Sequence, residues 1–168
     1  MDKQLLRQLY SKYQKEIYLY LFSLCKNREI AEDLTQETFL KALLSLSDSH
    51  TNMRAWLYMV ARNQFFNYKK KAREFVLLES VEEVISDNGS LQIMNSLIQD
   101  ERRRILYQAM QSLEADKREV LVLQYFGGVS QKEIASLLRK SPENVRVLVH
   151  RSKKELKKYM EENGYDIS

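Results

Sequence analysis

The scarcity of proline and glycine constrains the fold of this chain most: its 168 residues include one Pro and four Gly. A many-turned β-fold needs such residues at its turns and β-branched runs in its strands, and such runs are nearly absent. Leu, Lys, Glu, Gln and Arg dominate instead and suit long helices. Hydrophobic residues make up 44% of the chain, which is enough to build cores. The sequence therefore predicts an all-α fold.

Apolar residues spaced three and four apart predict three helices in the first part of the chain. Such spacing places the apolar side chains on one face of each helix, which can then pack against its neighbours. Asn27 interrupts the first pattern, and polar residues form a loop by composition at 47–52. The three predicted helices span about 2–26, 30–46 and 53–71.

Turn and cap residues organise the second part of the chain. The Gly pair at 127–128 ends a helix, since glycine accepts a positive φ angle. Ser130 and Glu133 have the spacing of a capping box. Ser141 is a good N-cap, and Pro142 follows at the first helical position, where its missing N–H costs nothing. We expect helices at about 97–113, 117–126, 131–138 and 143–160.

Charge is unevenly distributed, although 27 basic and 23 acidic residues give a net charge of only +4. Residues 54–73 contain six basic residues and no acid, and residues 139–158 contain eight basic residues and two acids. Basic blocks favour a polyanion as partner, because each phosphate contact releases counterions. Solvated helix faces would also account for them.

An acidic stretch separates the two basic blocks and marks a domain boundary. Residues 74–101 contain seven acids and no Lys or Arg, and include a Ser-Asp-Asn-Gly-Ser breaker cluster. Domain boundaries fall in such polar segments. We expect two small helical domains, 1–73 and 97–168, joined by a flexible acidic linker at 74–96.

The rest of the sequence argues against a disulfide-bonded, a metal-binding or a membrane-spanning protein. The single Cys25 excludes an internal disulfide, and two histidines do not support a Cys/His zinc site. The N-terminal residues lack the apolar core of a secretory signal, and no apolar run approaches the ~18 residues that span a bilayer. We expect a cytoplasmic protein that uses no metal or other cofactor.

Residues 129–151 have the pattern of a helix-turn-helix motif: two short capped segments with a three-residue turn between them. The second helix of such a motif enters the DNA major groove, where Arg can pair with guanine and Asn with adenine. An ordinary helical hairpin is the alternative. The candidate contact residues are Lys132, Ser141, Glu143, Asn144, Arg146, Val147, His150 and Arg151.

A second candidate nucleic-acid site mixes aromatic and basic residues in the third predicted helix. Such a mixture can stack unpaired bases and hold the backbone of single-stranded nucleic acid. Burial of the aromatic rings in the core is the alternative, and a combination of buried rings and exposed polar residues is a third interpretation. The aromatic residues are Trp56, Tyr58, Phe65, Phe66 and Tyr68.

Several segments of the chain carry a family resemblance. Glu-Asp-Leu-Thr-Gln-Glu-Thr-Phe-Leu-Lys-Ala at 32–42 and Trp-Leu-Tyr-Met-Val-Ala-Arg-Asn at 56–63 resemble region 2 of the extracytoplasmic-function (ECF, group IV) sigma factors of bacterial RNA polymerase. Residues 121–126, Ser-Gln-Lys-Glu-Ile-Ala at 130–135 and Ser-Pro-Glu-Asn-Val-Arg at 141–146 resemble their region 4. The resemblance spans nearly the whole chain, in the order and spacing of the family.

This resemblance implies a subunit that directs RNA polymerase to promoters and helps to open the −10 element. The second domain would read the −35 duplex with the helix-turn-helix residues given above. The residues implied to dock the clamp helices of the polymerase core are Asp33, Gln36, Glu37 and Lys41. The residues implied to bind −10 DNA form three groups. Ser49, His50 and Asn52 lie in a loop that would hold a flipped base, and Arg62, Asn63 and Asn67 would lie at the upstream fork. Lys69 and Lys70 complete the set.

The resemblance also implies partners beyond promoter DNA. The polymerase flap would receive the second domain, and the acidic linker would cross toward the positively charged RNA-exit channel. Family members are usually held inactive by a cognate anti-sigma factor, often membrane-spanning. No small-molecule substrate is expected.

Two alternatives and a few departures qualify this interpretation. A stand-alone helix-turn-helix regulator would have no reason to carry the second basic, aromatic block. A nuclease or recombinase would need a catalytic constellation that the sequence lacks, so we expect no enzymatic activity. The chain departs from common family patterns at Leu113-Glu114. Departures at Glu143-Asn144 and Leu148 bear on promoter sequence, and one at Asn67 bears on the fork contacts.

Overall fold

The computed structural model describes residues 2–45, 52–76 and 97–165. The chain divides into two compact units, Met1–Ser90 and Leu91–Ser168. Within the described residues there are seven helices and no strand. The predicted all-α fold with two helical domains is therefore confirmed. Beyond Val76, the predicted linker lies outside the described residues.

The first unit contains three helices close to their predicted positions. Lys26 takes a left-handed conformation with φ 53° and ends the first helix. The side-chain oxygen of Asn27 then accepts a hydrogen bond from the Ile30 amide at 3.1 Å, so Asn27 separates two helices by capping the second. The helices are α1 (Lys3–Cys25), α2 (Arg28–Ser45) and α3 (Met53–Val76).

The core of the first unit forms where α1 packs against both α2 and α3. The rings of Tyr20 and Tyr58 meet at 66° with centroids 5.2 Å apart, a favourable edge-to-face arrangement. This packing buries one face of α3 and leaves its other face to solvent. The largest fully buried side chains of this unit are Tyr20, Tyr58, Ile17, Leu21 and Leu57.

The second unit contains four helices: α4 (Glu101–Met110), α5 (Ala115–Tyr125), α6 (Gln131–Leu138) and α7 (Pro142–Glu162). The pattern near Leu97 predicts an earlier start for α4. The helix begins later because the Asp100 carboxylate accepts a hydrogen bond from the Arg102 amide at 2.9 Å and caps it there. The largest buried side chains here are Tyr107, Met110, Leu121, Leu123, Ile134, Val120 and Val122.

Caps fix the start of α6 and the turn between α6 and α7, as the sequence predicts. The Ser130 hydroxyl accepts a hydrogen bond from the Glu133 amide at 3.1 Å, and the Glu133 carboxylate accepts one from the Ser130 amide at 3.3 Å. Arg139 ends α6 in a left-handed conformation with φ 56°. The Ser141 hydroxyl caps α7 by accepting from the Asn144 amide at 3.2 Å. The result is a helix-turn-helix.

Candidate nucleic-acid interface

The outer face of α7 collects the residues predicted to contact duplex DNA. Val145 and Val149 point into the core and anchor the helix to the rest of the unit. Val147 is 44% exposed although it is apolar. The predicted contact residues Ser141, Glu143, Asn144, Arg146, Val147, His150 and Arg151 are all exposed. This geometry places hydrogen-bond donors, acceptors and one apolar side chain along the exposed side of the first turns of α7.

The start of α6 lies beside the end of α5. Lys132 is exposed in the first turn of α6, where it can reach a phosphate. The Gln131 side-chain amide donates a hydrogen bond to the Gln124 side-chain oxygen at 3.3 Å and joins the two helices. Sequence reasoning missed this pair, because the two glutamines are separated by the turn at Gly127-Gly128.

An exposed aromatic residue with a nearby cation lies where α5 ends. The Lys153 ammonium lies 5.5 Å from the ring centroid of Tyr125, which is 38% exposed. The Arg103 guanidinium lies 4.9 Å from the Phe126 ring centroid and donates a hydrogen bond to the Tyr125 carbonyl at 3.1 Å. These contacts connect α4, α5 and α7 and orient two cations at the surface.

Helix α3 divides its aromatic residues between core and surface. Tyr58 and Phe65 are buried, whereas Phe66 and Tyr68 are 41% and 38% exposed. Trp56 is half-buried. The predicted −10 contacts Asn63, Asn67, Lys69 and Lys70 are exposed and Arg62 is half-buried. The outer face of α3 is thus basic and partly aromatic, which corresponds to the mixed interpretation.

Asn52 has a structural role at the start of α3. Its side-chain oxygen accepts a hydrogen bond from the Ala55 amide at 3.2 Å, and its carbonyl accepts one from the Trp56 amide at 3.2 Å. The residue is an N-cap, and that use of its side chain was not foreseen. The other two loop residues predicted to hold a flipped base, Ser49 and His50, lie outside the described residues.

The exposed face of α2 carries the residues predicted to dock the polymerase. Two leucines that sequence reasoning did not assign lie among them: Leu40 is 55% exposed and Leu44 is 75% exposed. Their spacing from Gln36 and Glu37 could have revealed them as apolar residues on the polar side of the helix. The predicted docking residues Asp33, Gln36, Glu37 and Lys41 are all exposed.

A groove with a volume of about 720 Å³ runs between α2 and α3. Glu37 and Lys41, from the predicted docking set, line one wall. Asn67 and Lys70, from the predicted −10 set, line the other. The structure therefore brings together residues that the sequence assigns to two different partners.

A network of charged and aromatic side chains holds the start of α3 against α1. The Arg54 guanidinium lies 3.2 Å from the Glu16 carboxylate and 5.4 Å from the ring centroid of Tyr13. The Tyr58 hydroxyl donates a hydrogen bond to the same carboxylate at 3.1 Å. Burial raises the pKa of Glu16, while Arg54 and Tyr58 act to lower it. This network fixes the helix that follows the predicted base-holding loop.

Residues 2–45, 52–76 and 97–165 include no helix that is long and apolar enough to cross a membrane. The same ranges contain no group of three or more His, Cys, Asp or Glu side chains placed to hold a metal ion. Burial raises the pKa of the Cys25 thiol, which donates a hydrogen bond to the Asn27 carbonyl at 3.3 Å.

Two family models match the chain, one in each unit. Residues 9–75 match sigma-70 region 2, and residues 103–156 match sigma-70 region 4. The first match includes α2 and α3, and the second includes the helix-turn-helix. A stand-alone helix-turn-helix regulator is therefore not favoured.

Two curated relatives resemble the chain over most of its length. The ECF RNA polymerase sigma factor SigM of Bacillus subtilis is 30% identical, over 89% of this chain and 91% of its own length. The RNA polymerase sigma factor YlaC of the same organism is 34% identical, over 92% of this chain and 91% of its own length.

Solved structures share the fold at lower identity. The sigma factor RpoE of Bartonella quintana, in complex with the anti-sigma factor NepR, is 22% identical with a TM-score of 0.71, over 92% of this chain and 96% of that chain. CnrH, in complex with the cytosolic domain of CnrY, is 21% identical with a TM-score of 0.63, over 95% of this chain and 90% of that chain. The two family matches and the curated relatives together establish the identity: the chain belongs to the ECF RNA polymerase sigma factors, alternative sigma subunits that direct transcription initiation at promoters.

Proposed function

We propose that three helix faces divide the work of this sigma factor. The face of α2 docks the polymerase core, the face of α3 binds the melted −10 element, and the face of α7 reads the −35 duplex. The observation that carries this proposal is that each unit exposes its own basic helix face, on α3 and on α7. The factor contributes binding and strand separation, and we propose that it has no catalytic step of its own.

The −35 contacts rest on the exposed residues of α7. The side chains of Asn144 and Arg146 project from its first two turns and can pair with base edges. Val147 offers an apolar surface to a thymine methyl. Lys132 and Arg151 carry charge that suits phosphate contacts, which position the helix without reading sequence.

The −10 contacts rest on the charge and chemistry of α3. Residues 54–73 contain six basic residues and no acid, and four of the six lie at 69–73, so this part of the helix attracts a phosphate backbone most strongly. Asn63 and Asn67 can hydrogen-bond the exposed edges of unpaired bases. Flipping a base costs a few kcal/mol of stacking, which these contacts and the preceding loop must offset.

Polymerase docking rests on a face of mixed character on α2. Asp33, Glu37 and Lys41 supply both signs of charge, which favours an oriented interface. Leu40 and Leu44 add exposed apolar area beside these charges. We propose that the clamp helices of the core bind this face and that the flap binds the second unit.

The domain limits 1–73, 74–96 and 97–168 follow from the sequence, and most of the linker lies outside the described residues. Five of the seven acids between 74 and 101 lie in this linker and match the positive RNA-exit channel in charge. Neutralising these acids should change abortive synthesis and promoter escape. Unchanged abortive products would reject this role.

Regulation by a protein inhibitor is a further part of the proposal. The structural relatives RpoE and CnrH were each solved in complex with a partner protein. We propose that a cognate anti-sigma factor, anchored in the membrane, holds this chain inactive. The factor itself would work in the cytoplasm, where polymerase and promoter DNA meet.

Transcription in vitro with core polymerase on duplex and pre-melted templates tests the division of labour. Arg146→Ala should weaken −35 recognition by about 1–3 kcal/mol if the residue contacts a base. Asn63→Ala should slow opening of the duplex template and leave binding of the second unit to −35 DNA unchanged. The proposal would be rejected if both variants behaved identically on the two templates.

A further inference from the structure

Glu143 is an acid in the first turn of α7, on the face that we propose to read the −35 duplex. Arg146, Val147 and His150 follow it at intervals of three, four and seven residues, which places all four side chains on one side of the helix. Val145 is buried on the opposite side. The exposed Glu143 carboxylate therefore lies among the side chains that would face the bases, at the end of the helix that enters the groove in a helix-turn-helix.

No partner holds the Glu143 carboxylate within the described residues. It takes part in no hydrogen bond or ion pair there. The cap of α7 is supplied by Ser141, whose hydroxyl accepts a hydrogen bond from the Asn144 amide at 3.2 Å. The acid at the start of α6 differs, because the Glu133 carboxylate accepts a hydrogen bond from the Ser130 amide at 3.3 Å. Glu143 is therefore available to a ligand.

An acid at this place opposes binding to DNA in general. Residues 139–158 contain eight basic residues and two acids, Glu143 and Glu155. Glu155 is neutralised by Lys117, whose ammonium lies 2.6 Å from its carboxylate. Glu143 has no such cation, and both the phosphates and the acceptor atoms of the bases repel its charge. The carboxylate is tolerated only where the groove presents a hydrogen-bond donor to it.

We infer that Glu143 selects cytosine at one position of the −35 element, by accepting a hydrogen bond from the cytosine N4 amino group. In the major groove, cytosine presents this donor without an acceptor of its own. Adenine places N7 beside its amino group, and guanine and thymine present acceptors alone. The carboxylate therefore rejects the other three bases as well as binding cytosine, which is how a repulsive group produces specificity.

This inference rests on the proposed reading of the −35 duplex by α7 and assigns one base to one residue. Glu143→Ala removes both the attraction and the repulsion, so it should bind the cytosine site more weakly and the other sites more tightly than the wild type does. Glu143→Gln keeps the shape and replaces one acceptor by a donor, which matches N6 and N7 of adenine. The glutamine variant should therefore prefer adenine where the wild type prefers cytosine.

The test uses the full chain with core polymerase and duplex promoter DNA that the holoenzyme transcribes. Each position of the −35 element is changed in turn to all four bases, and affinities are measured by competition. At one position the wild type should prefer cytosine by at least about fivefold, Glu143→Ala should show no preference, and Glu143→Gln should prefer adenine. Replacing that cytosine by 2-pyrimidinone, which lacks only the amino group, should weaken the wild type and leave Glu143→Ala unaffected.

A matched control separates base reading from the loss of a negative charge. Glu161→Gln removes the same charge from the same side of α7, eighteen residues or about five turns further along, and should keep the base preference of the wild type. An acid in the first turn also stabilises a helix through its dipole. Thermal unfolding of the Glu143 variants measures that effect, which cannot change the preferred base.

Two outcomes would overturn the inference in different ways. An unchanged base preference in Glu143→Ala and Glu143→Gln, with Arg146→Ala altered, would reject the role of Glu143 and keep the −35 face. Unchanged preference and affinity in Glu143→Ala and Arg146→Ala alike would reject the −35 face itself.

Discussion

The Tyr58 hydroxyl donates a hydrogen bond to the Glu16 carboxylate at 3.1 Å and joins α3 to α1 across 42 residues of chain. Arg54 approaches the same carboxylate at 3.2 Å from the first turn of α3. Together these contacts fix where the proposed DNA-binding helix begins. The network is partly buried, so its members affect both stability and the position of α3.

Tyr58→Phe should destabilise the first unit by about 1.5–3 kcal/mol, because it removes a hydrogen bond to a charged group in a buried place. Urea unfolding followed by the fluorescence of Trp56, the single tryptophan, reports on this unit. Tyr68→Phe removes an exposed hydroxyl and serves as the matched control. Equal unfolding midpoints for the two variants would contradict the prediction.

Glu16→Gln should change the pH dependence of stability. Burial raises the pKa of Glu16 above 4.5 in the folded state, despite the opposing effects of Arg54, Tyr58 and Lys12. The stability that this group contributes is fully present below its unfolded pKa and is lost as the pH rises through its folded pKa.

The glutamine variant lacks this titration, so its stability relative to the wild type should increase as the pH rises from about 4 to 7. Urea midpoints measured across that range give the comparison. A constant difference between the two proteins would show that the carboxyl does not titrate differently on folding.

Ser130→Ala should destabilise the second unit by about 1 kcal/mol, since it removes the hydroxyl that caps α6. Thermal unfolding followed by circular dichroism measures the loss. Ser136→Ala, an exposed position within the same helix, is the control and should cost little because alanine favours helices. An effect of the same size at both positions would argue against the cap.

Leu44→Asp should weaken binding to core polymerase about tenfold or more, because it places a charge in the exposed apolar area of the α2 face. The leucine is 75% exposed, so the fold should tolerate the change. Affinity measured with labelled core gives the readout, and Ser45→Asp at the neighbouring exposed position is the control. Unchanged affinity would remove Leu44 from the docking surface.

Local signals made much of this fold predictable. The apolar spacing of α1 and the capping box of Ser130 and Glu133 depend on residues within a few positions of one another, and both appear in the structure. The apolar pattern at Leu97 predicts too early a start for α4, because it does not show that Asp100 caps the helix. Caps decide where a helix begins more precisely than apolar spacing does.

Contacts between distant segments could not be predicted in the same way. Nothing near Glu16 in the sequence indicates Arg54 or Tyr58 as its partners, since their meeting depends on how α1 and α3 pack. The exposure of Leu40 and Leu44 likewise depends on which faces of α2 the neighbouring helices cover. The family resemblance supplied the roles of the site residues, and the structure supplied their arrangement.

The groove between α2 and α3 has a genetic consequence. Because Lys41 and Lys70 line the same cavity, a substitution in one helix alters the surroundings of the other. Suppressors of a polymerase-binding defect in α2 are therefore expected among substitutions in α3. Over evolutionary time, we expect the residues on the two walls of this groove to change together.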